Sequence, residues 1–378
     1  METALVNYWY APPVGHTIEA LRYCLGYKAA DPTLRVALLL SAATPTELAG
    51  CCSFVDAVYP VGYTSFAQPE GDPAAALAAV PRVWDWVVDN HREREAEHDR
   101  FTGFRAFFDA SHAHFAPRRG HTWTGEQPPT YRPHQQLRLE LPRAARAAAE
   151  ALVCDRSAIS VVLAGSSSPS HLYPSAASWR LVLSELSRLR PDAAICLIGR
   201  FARDERTRSR IAPGTLDVLR NSVAACVDCF DRPLLEQLAI VERSLLCVSP
   251  HTGFGFAAVA VGTPWLALSG GNWHEYFFNG VPFYSVLPDV DRYPCFGWGA
   301  PLPTIEADED GEGPRTASMC VARIREDLPE LLHYAQLLID GELSYEDALT
   351  DYFPRLLAAY HGDRDRVFTF DGVHRSYL

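Results

Sequence analysis

The sequence predicts an α/β protein built from two doubly wound parallel-sheet domains. Three observations carry that reading. The first half opens strand–helix–strand–helix–strand, with Ala4–Tyr10, Leu34–Leu40 and Ala57–Val61 as short apolar strands. A fresh strand, Ala158–Ala164, restarts the pattern in the second half. The stretch Leu245–Asn272 then reads as strand, tight loop, small-residue helix and strand. A length of 378 residues suits two domains rather than one.

Taken in order, Ala11–Thr17 is expected as a loop and Ile18–Leu25 as an amphipathic helix with Thr17 as its cap. Thr44–Ala49 begins like a helix. Ala74–Asn90 and Arg92–Phe108 are expected as helices, because Val80, Val83, Trp84, Val87 and Val88 share one helical face. Gly103–Pro133 is expected as loops, rich in aromatics and carrying His112, His114, His121, Arg118 and Arg119. It reads equally as the edge of an acceptor site or as a surface lid. Leu139–Cys154 should be a helix, with the first domain ending at 152. Trp179–Leu189 and Pro233–Val241 read as helices, Ala193–Ile198 and Ser222–Val227 as strands. Residues 153–335 form the second domain in this reading. Ile305–Arg315 is acidic and Gly-rich and reads as a loop; Met319–Leu338 and Tyr345–Tyr360 read as helices. Residues 336–378 are expected to pack back on the first domain.

Hydrophobic residues make up 48% of the chain and charged residues 21%, which suits folded cores rather than disorder. The formal charge of −12 disfavours nucleic acid and anionic membranes as general partners. The start METALVNYWY lacks a basic region and a cleavage site, and Phe254–Leu268 is too interrupted to span a bilayer. Ten cysteines in apolar contexts fit reduced thiols, so the expected location is cytoplasmic. Oligomeric state is open. No metal or other cofactor is expected. Cys226 and Cys229 form a CxxC without a second pair. Asp289/Asp291, Asp308/Asp310 and Asp363/Asp365 have DxD spacing but read as solvated charge away from strand ends.

Leu245–Val248 is a buried strand that breaks at Ser249–Gly253 into Phe254–Val261, a helix whose alanines permit close packing on a sheet. A helix starting at Gly253 or Phe254 turns unpaired amides and its positive end toward the loop, which suits a phosphate or diphosphate. The plain alternative is an ordinary βαβ loop that binds nothing. Gly270 and Gly271, after the next strand, favour a ligand, since backbone can approach closely there.

The polar loop Ser166–Ser168, the strand ending in Gly199 and the Thr252–Gly253 loop before an Ala-rich helix resemble the GT-B glycosyltransferases. The pattern is most similar to the ADP-heptose:lipopolysaccharide heptosyltransferase-like family. The resemblance covers the order of elements and is sharpest from Ala158 to Gly271. It implies two Rossmann-like domains facing each other across a cleft, the first binding the acceptor and the second a nucleotide sugar. Departures fall at His251, where the family has Asp; at His171 and Tyr173, where it has Lys; and at Gly15-His16, where it has Gly-Asp. Gly-His is closer to the antibiotic- and plant-type transferases, whose N-terminal His is the base, and it argues against lipopolysaccharide heptose.

The implied activity is inverting, metal-independent transfer of a sugar to an acceptor hydroxyl, with a small molecule or natural product favoured. His16 is the candidate base, its ordinary pKa near 6.5 suiting proton abstraction; the alternative is an exposed or capping histidine. Glu19 or Asp109 would orient it. Ser166, Ser167, Ser168, Arg200, His251, Thr252, Gly253 and Phe254 are the candidate diphosphate contacts. His251 would donate if protonated or suitably tautomeric. Gly270, Gly271, Asn272 and Glu275 would face the donor sugar, Trp273 and Tyr276 would stack on a ring, and Asp204 or Glu205 would bind ribose. Each of these has a structural alternative as a packed residue or solvated charge. Competing activities are a nucleotide-sugar epimerase, a protein O-glycosyltransferase and a non-catalytic nucleotide-sugar binder.

Overall fold

The computed structural model describes residues 1–9, 14–62, 72–89, 102–123, 129–165, 173–201, 208–211, 213–268, 279–287, 305–316 and 319–364. It contains two compact units, each with its own parallel sheet, and the main division of the chain lies between Glu140 and Leu141.

The first unit runs β1 (Thr3–Tyr8), α1 (Val14–Ala30), β2 (Arg35–Ser41), a 3-10 turn (Thr46–Cys51), β3 (Ala57–Val61), α2 (Pro73–Leu77), β4 (Val83–Asp89), α3 (Thr102–His114) and β5 (Ala116–Trp123). All strands are parallel, in the order β3-β2-β1-β4-β5. Leu5, Val6, Val36, Leu38 and Val87 are buried, as the apolar strands of a covered parallel sheet should be. The order reverses between β1 and β4, where Asn7 pairs with Asp89. Ligands of such sheets bind beyond the carboxyl ends of the strands at that reversal.

The helix expected from Ile18 with Thr17 as its cap begins earlier, at Val14, and two further expectations fail in this unit. The helix expected over Ala74–Asn90 is a five-residue helix followed by β4. Val80, Val83, Trp84, Val87 and Val88 fit a helical face, yet Val83 is exposed and Trp84, Val87 and Val88 are buried. A β-branched and aromatic run pairs with neighbours on both sides here and outweighs the helical spacing. The loops expected over Gly103–Pro133 contain α3 and β5, so the histidine-rich stretch sits on regular elements. Of the helix expected over Arg92–Phe108, only the start of α3 lies within the described residues.

The second unit runs α4 (Arg143–Val153), β6 (Ser157–Val162), α5 (Ala176–Leu189), β7 (Ala193–Ile198), α6 (Pro213–Arg220), β8 (Cys226–Asp228), α7 (Leu234–Glu242), β9 (Leu246–Ser249), α8 (Gly253–Ala260), β10 (Trp265–Ala267), β11 (Phe283–Ser285), β12 (Ile305–Ala307), β13 (Pro314–Thr316), α9 (Val321–Asp340) and α10 (Tyr345–Ala359). The main sheet is parallel in the order β11-β10-β9-β6-β7-β8, reversing between β6 and β9. Counting β6 as the first strand, this is the doubly wound order 3-2-1-4-5-6.

The sequence reading drew the boundary at 152, but α4 belongs with the second unit, where Arg146 grips Glu242 with two hydrogen bonds of 2.7 Å. Residues 336–364 also belong to the second unit. Tyr334 stacks on Tyr284 at 3.8 Å, and Tyr352 meets Phe283 edge-on, burying both terminal helices in that core. The acidic segment is a β12–β13 hairpin rather than a plain loop. Asp308, expected to be solvated, is buried and accepts the Val321 amide at the start of α9. Asp310 accepts from Ser175, and Glu312 from the Ala176 amide, at the start of α5. Carboxylates gain from the positive end of a helix, which accounts for the placement of these three. Among the described residues no helix is long and apolar enough to cross a membrane.

Candidate functional site

In the second unit the reversal point brings the ends of β6 and β9 together. Ser249 ends β9 and accepts from the Trp265 indole at 2.8 Å. Thr252 is extended and caps α8, its side chain accepting from the Gly255 amide at 3.1 Å. The helical bond Phe256 N–H to Thr252 C=O follows. The amides of Gly253 and Phe254 therefore stand ahead of it, at the positive end of the helix. Gly255 lets α8 settle on the sheet: a Cβ there would lie 2.6 Å from Ser249 Oγ and 3.1 Å from the Trp265 ring. Gly165, after β6, has the same role on the facing loop. Its Cβ would lie 2.7 Å from the Tyr173 hydroxyl and 3.1 Å from Thr252. Two glycines thus permit close approaches on either side of Thr252: the Gly165 backbone lies against the Tyr173 hydroxyl and the Thr252 methyl, and the Gly255 backbone against Ser249 and Trp265.

His251 lies against Trp265, with ring centroids 5.6 Å apart, and near Phe256. Burial pushes its pKa down to about 3, so the ring is neutral at ordinary pH. Of the two donor forms considered for His251, protonated or suitably tautomeric, burial favours the neutral tautomer. Arg200 follows β7, one strand away from the reversal point. Its backbone is pinned by Ser209, whose Oγ accepts from the Arg200 amide at 3.1 Å and whose amide donates to the Arg200 carbonyl at 2.7 Å. Ser166, Ser167, Ser168, His171, Asp204, Glu205, Gly270, Gly271, Asn272, Trp273, Glu275 and Tyr276 lie outside the described residues.

In the first unit, His16 is the third residue of α1 rather than part of a loop. Glu19 is buried one turn on, with its carboxylate 3.7 Å from His16 Nδ1. That separation is too long for a hydrogen bond. Tyr23 donates to the other Glu19 oxygen at 3.4 Å. Of the two carboxylates considered for orienting His16, Glu19 is the one beside it. Asp109 lies on α3 and instead helps to raise the pKa of His112.

A further group was read only in part, through its histidines. Asp89, buried at the end of β4, accepts from Asn7 at 2.8 Å through Oδ1. Its Oδ2 meets His112 Nε2 at 3.1 Å and His121 Nδ1 at 3.0 Å. Burial alone would raise the Asp89 carboxyl, but the bonds from His112, His121 and Asn7 outweigh it and hold the pKa below its ordinary value. The bond to Asp89 raises His112 in turn. The sequence signal was the histidine-rich stretch itself; Asp89 had none, because strand pairing alone brings it there.

No family model matches the chain, and no curated protein sequence does. Solved structures do match in fold. The ADP-heptose lipopolysaccharide heptosyltransferase II of E. coli superposes with a TM-score of 0.54 at 11% identity, covering 88% of this chain and 99% of that one. A glycosyltransferase family 9 protein of Veillonella parvula gives 0.57 at 11% identity, over 88% and 97%. The chain has the GT-B fold. E. coli heptosyltransferase WaaC with ADP gives 0.50 at 12% identity, over 89% and 100%. At such identities the likeness is one of architecture, and the chemistry has to be argued from the residues.

Proposed function

We propose that the protein is an inverting glycosyltransferase that moves a sugar from a nucleotide-diphosphate sugar to an acceptor hydroxyl, with a small molecule or natural product favoured as acceptor. The observation that carries this reading is the reversal-point crevice of the second unit, where Gly165 and Gly255 bring the start of α8 against the end of β6. Its fold neighbours include sugar transferases. In this reading the Gly253 and Phe254 amides take up the negative charge of the departing diphosphate. The Thr252 hydroxyl accepts from Gly255 and keeps its own proton to donate. Ser166, Ser167, Ser168, Arg200 and neutral His251 complete the diphosphate contacts. Gly270, Gly271, Asn272 and Glu275 face the donor sugar, and Asp204 the ribose.

The acceptor oxygen attacks the anomeric carbon as the bond to the diphosphate breaks. His16, held beside Glu19, receives the acceptor proton. Since amides and hydroxyls neutralise the leaving group, no ion is required at the phosphates. The test is a transfer assay over a panel of nucleotide sugars and acceptors, with the anomeric configuration of the product read by NMR. Inversion, at a rate unaffected by added Mg2+ or Mn2+, supports the reading. A product of retained configuration, or epimerised donor formed without acceptor, overturns it.

A further inference from the structure

We propose that Asp89, His112 and His121 form a binding site for a divalent transition-metal ion of the zinc type at the carboxyl edge of the first unit's sheet. The inference stands apart from sugar transfer and holds whether or not that activity is found. Among the described residues these three are the one group of histidine, cysteine and carboxylate side chains whose donor atoms all lie within 4.8 Å of one another. The three come from separate elements, β4, α3 and β5, brought together by the parallel pairing of β4 with β5.

The donor geometry suits an ion. In four-coordinate zinc, with bonds of about 2.0–2.1 Å, neighbouring donor atoms lie roughly 3.3 Å apart; in six-coordinate ions of similar bond length they lie about 3.0 Å apart. The observed separations from Asp89 Oδ2 are 3.0 Å to His121 and 3.1 Å to His112. Those two separations need a change of at most a few tenths of an ångström, and the two histidine nitrogens lie within 4.8 Å of each other. The ring centroids of His112 and His121 lie 4.0 Å apart, so both nitrogens approach the carboxylate from one side. Binding takes the lone pairs of His112 Nε2 and His121 Nδ1, leaving the remaining ring nitrogens protonated.

The surroundings resemble those of a ligand set. Asn7, itself fully buried, occupies Asp89 Oδ1 at 2.8 Å and leaves Oδ2 for one-point coordination. Outer hydrogen bonds of this kind orient metal-binding carboxylates. His112 is about half exposed, with 53% of its side-chain area accessible, so an ion can enter from that side. Three protein ligands leave at least one coordination position for an oxygen donor, either water or a small oxygen-bearing ligand. Two imidazoles and one carboxylate favour zinc, cobalt, nickel or iron(II) over magnesium or calcium.

The test is calorimetric titration of Zn2+, and separately Co2+, into the chelator-treated full-length protein. The expected result is one equivalent bound tightly, with visible absorption from the cobalt complex. His112→Ala, His121→Ala and Asp89→Asn should each weaken binding at least 100-fold, and Asn7→Ala about 10- to 100-fold. His112→Ala guards against misfolding, because its side chain is half exposed; its far-ultraviolet dichroism and metal-free melting point should match wild type. Failure of the wild type to bind one equivalent overturns the proposal, as does binding that survives unchanged in both histidine variants.

Discussion

The two units share a strand order and differ in what they place at its reversal. The first unit loads that edge with ionisable groups: His16 beside Glu19, and Asp89 bound to Asn7, His112 and His121. The second, among its described residues beside β6 and β9, sets Gly165, Thr252, the first amides of α8 and a His251 that burial holds neutral. One topology thus supplies two chemistries. Side chains that exchange protons suit the first, and a neutral backbone cradle with a helix dipole suits an anion in the second.

The comparison is broken most severely at His16. In the proposed transferase, His16→Ala should lower turnover by roughly 10²- to 10⁴-fold while leaving nucleotide affinity within about threefold of wild type. Steady-state kinetics beside calorimetric binding would separate the two. Unchanged turnover removes His16 from the mechanism.

Next in size is the close approach of α8 to its sheet. Gly255→Val should cost about 3 kcal/mol in urea unfolding, because its Cβ would lie 2.6 Å from Ser249 Oγ, within a packed contact. A cost below about 0.5 kcal/mol would mean that the helix does not sit where described.

This approach was legible in the sequence. Small residues between two apolar strands leave few alternatives to a helix on a sheet, and α8 starts at Gly253, as read. The strand β4 was not legible, since Val80, Val83, Trp84, Val87 and Val88 satisfy helical spacing and only strand pairing decides otherwise. The Asp89 cluster was half legible. His112 and His121 stood out by composition, but their carboxylate lies 23 and 32 residues earlier in the chain. Only the pairing of β4 with β1 and β5 brings the three together. His16 and Glu19 are the opposite case, three positions apart on one helix, so local periodicity sufficed to suggest the pair.

A third test concerns charge in the second unit. His251 has a folded pKa of about 3, against an ordinary value near 6.5. Between those values the unfolded chain binds a proton that the folded chain refuses. The stability linked to His251 is therefore complete above pH 6.5 and falls as pH drops toward 3. At pH 5 the loss should be about 2 kcal/mol relative to pH 7. His251→Gln should remove that share of the acid sensitivity in urea unfolding at the two pH values; an identical pH dependence would mean that the ring is not shielded.

The smallest effect belongs to the cap. Thr252→Val removes the acceptor for the Gly255 amide and should cost about 1 kcal/mol in the same assay.

The central claim is the division of labour between the two edges, and calorimetric binding of UDP, GDP, ADP and dTDP tests it most directly. At least one of the four should bind wild type and His16→Ala alike. The same nucleotide should lose more than tenfold in affinity with Gly165→Val, whose side chain would push Tyr173 and the cap residue Thr252 aside. Binding lost with His16→Ala but kept with Gly165→Val, or no binding of any of the four to the wild type, would contradict the account.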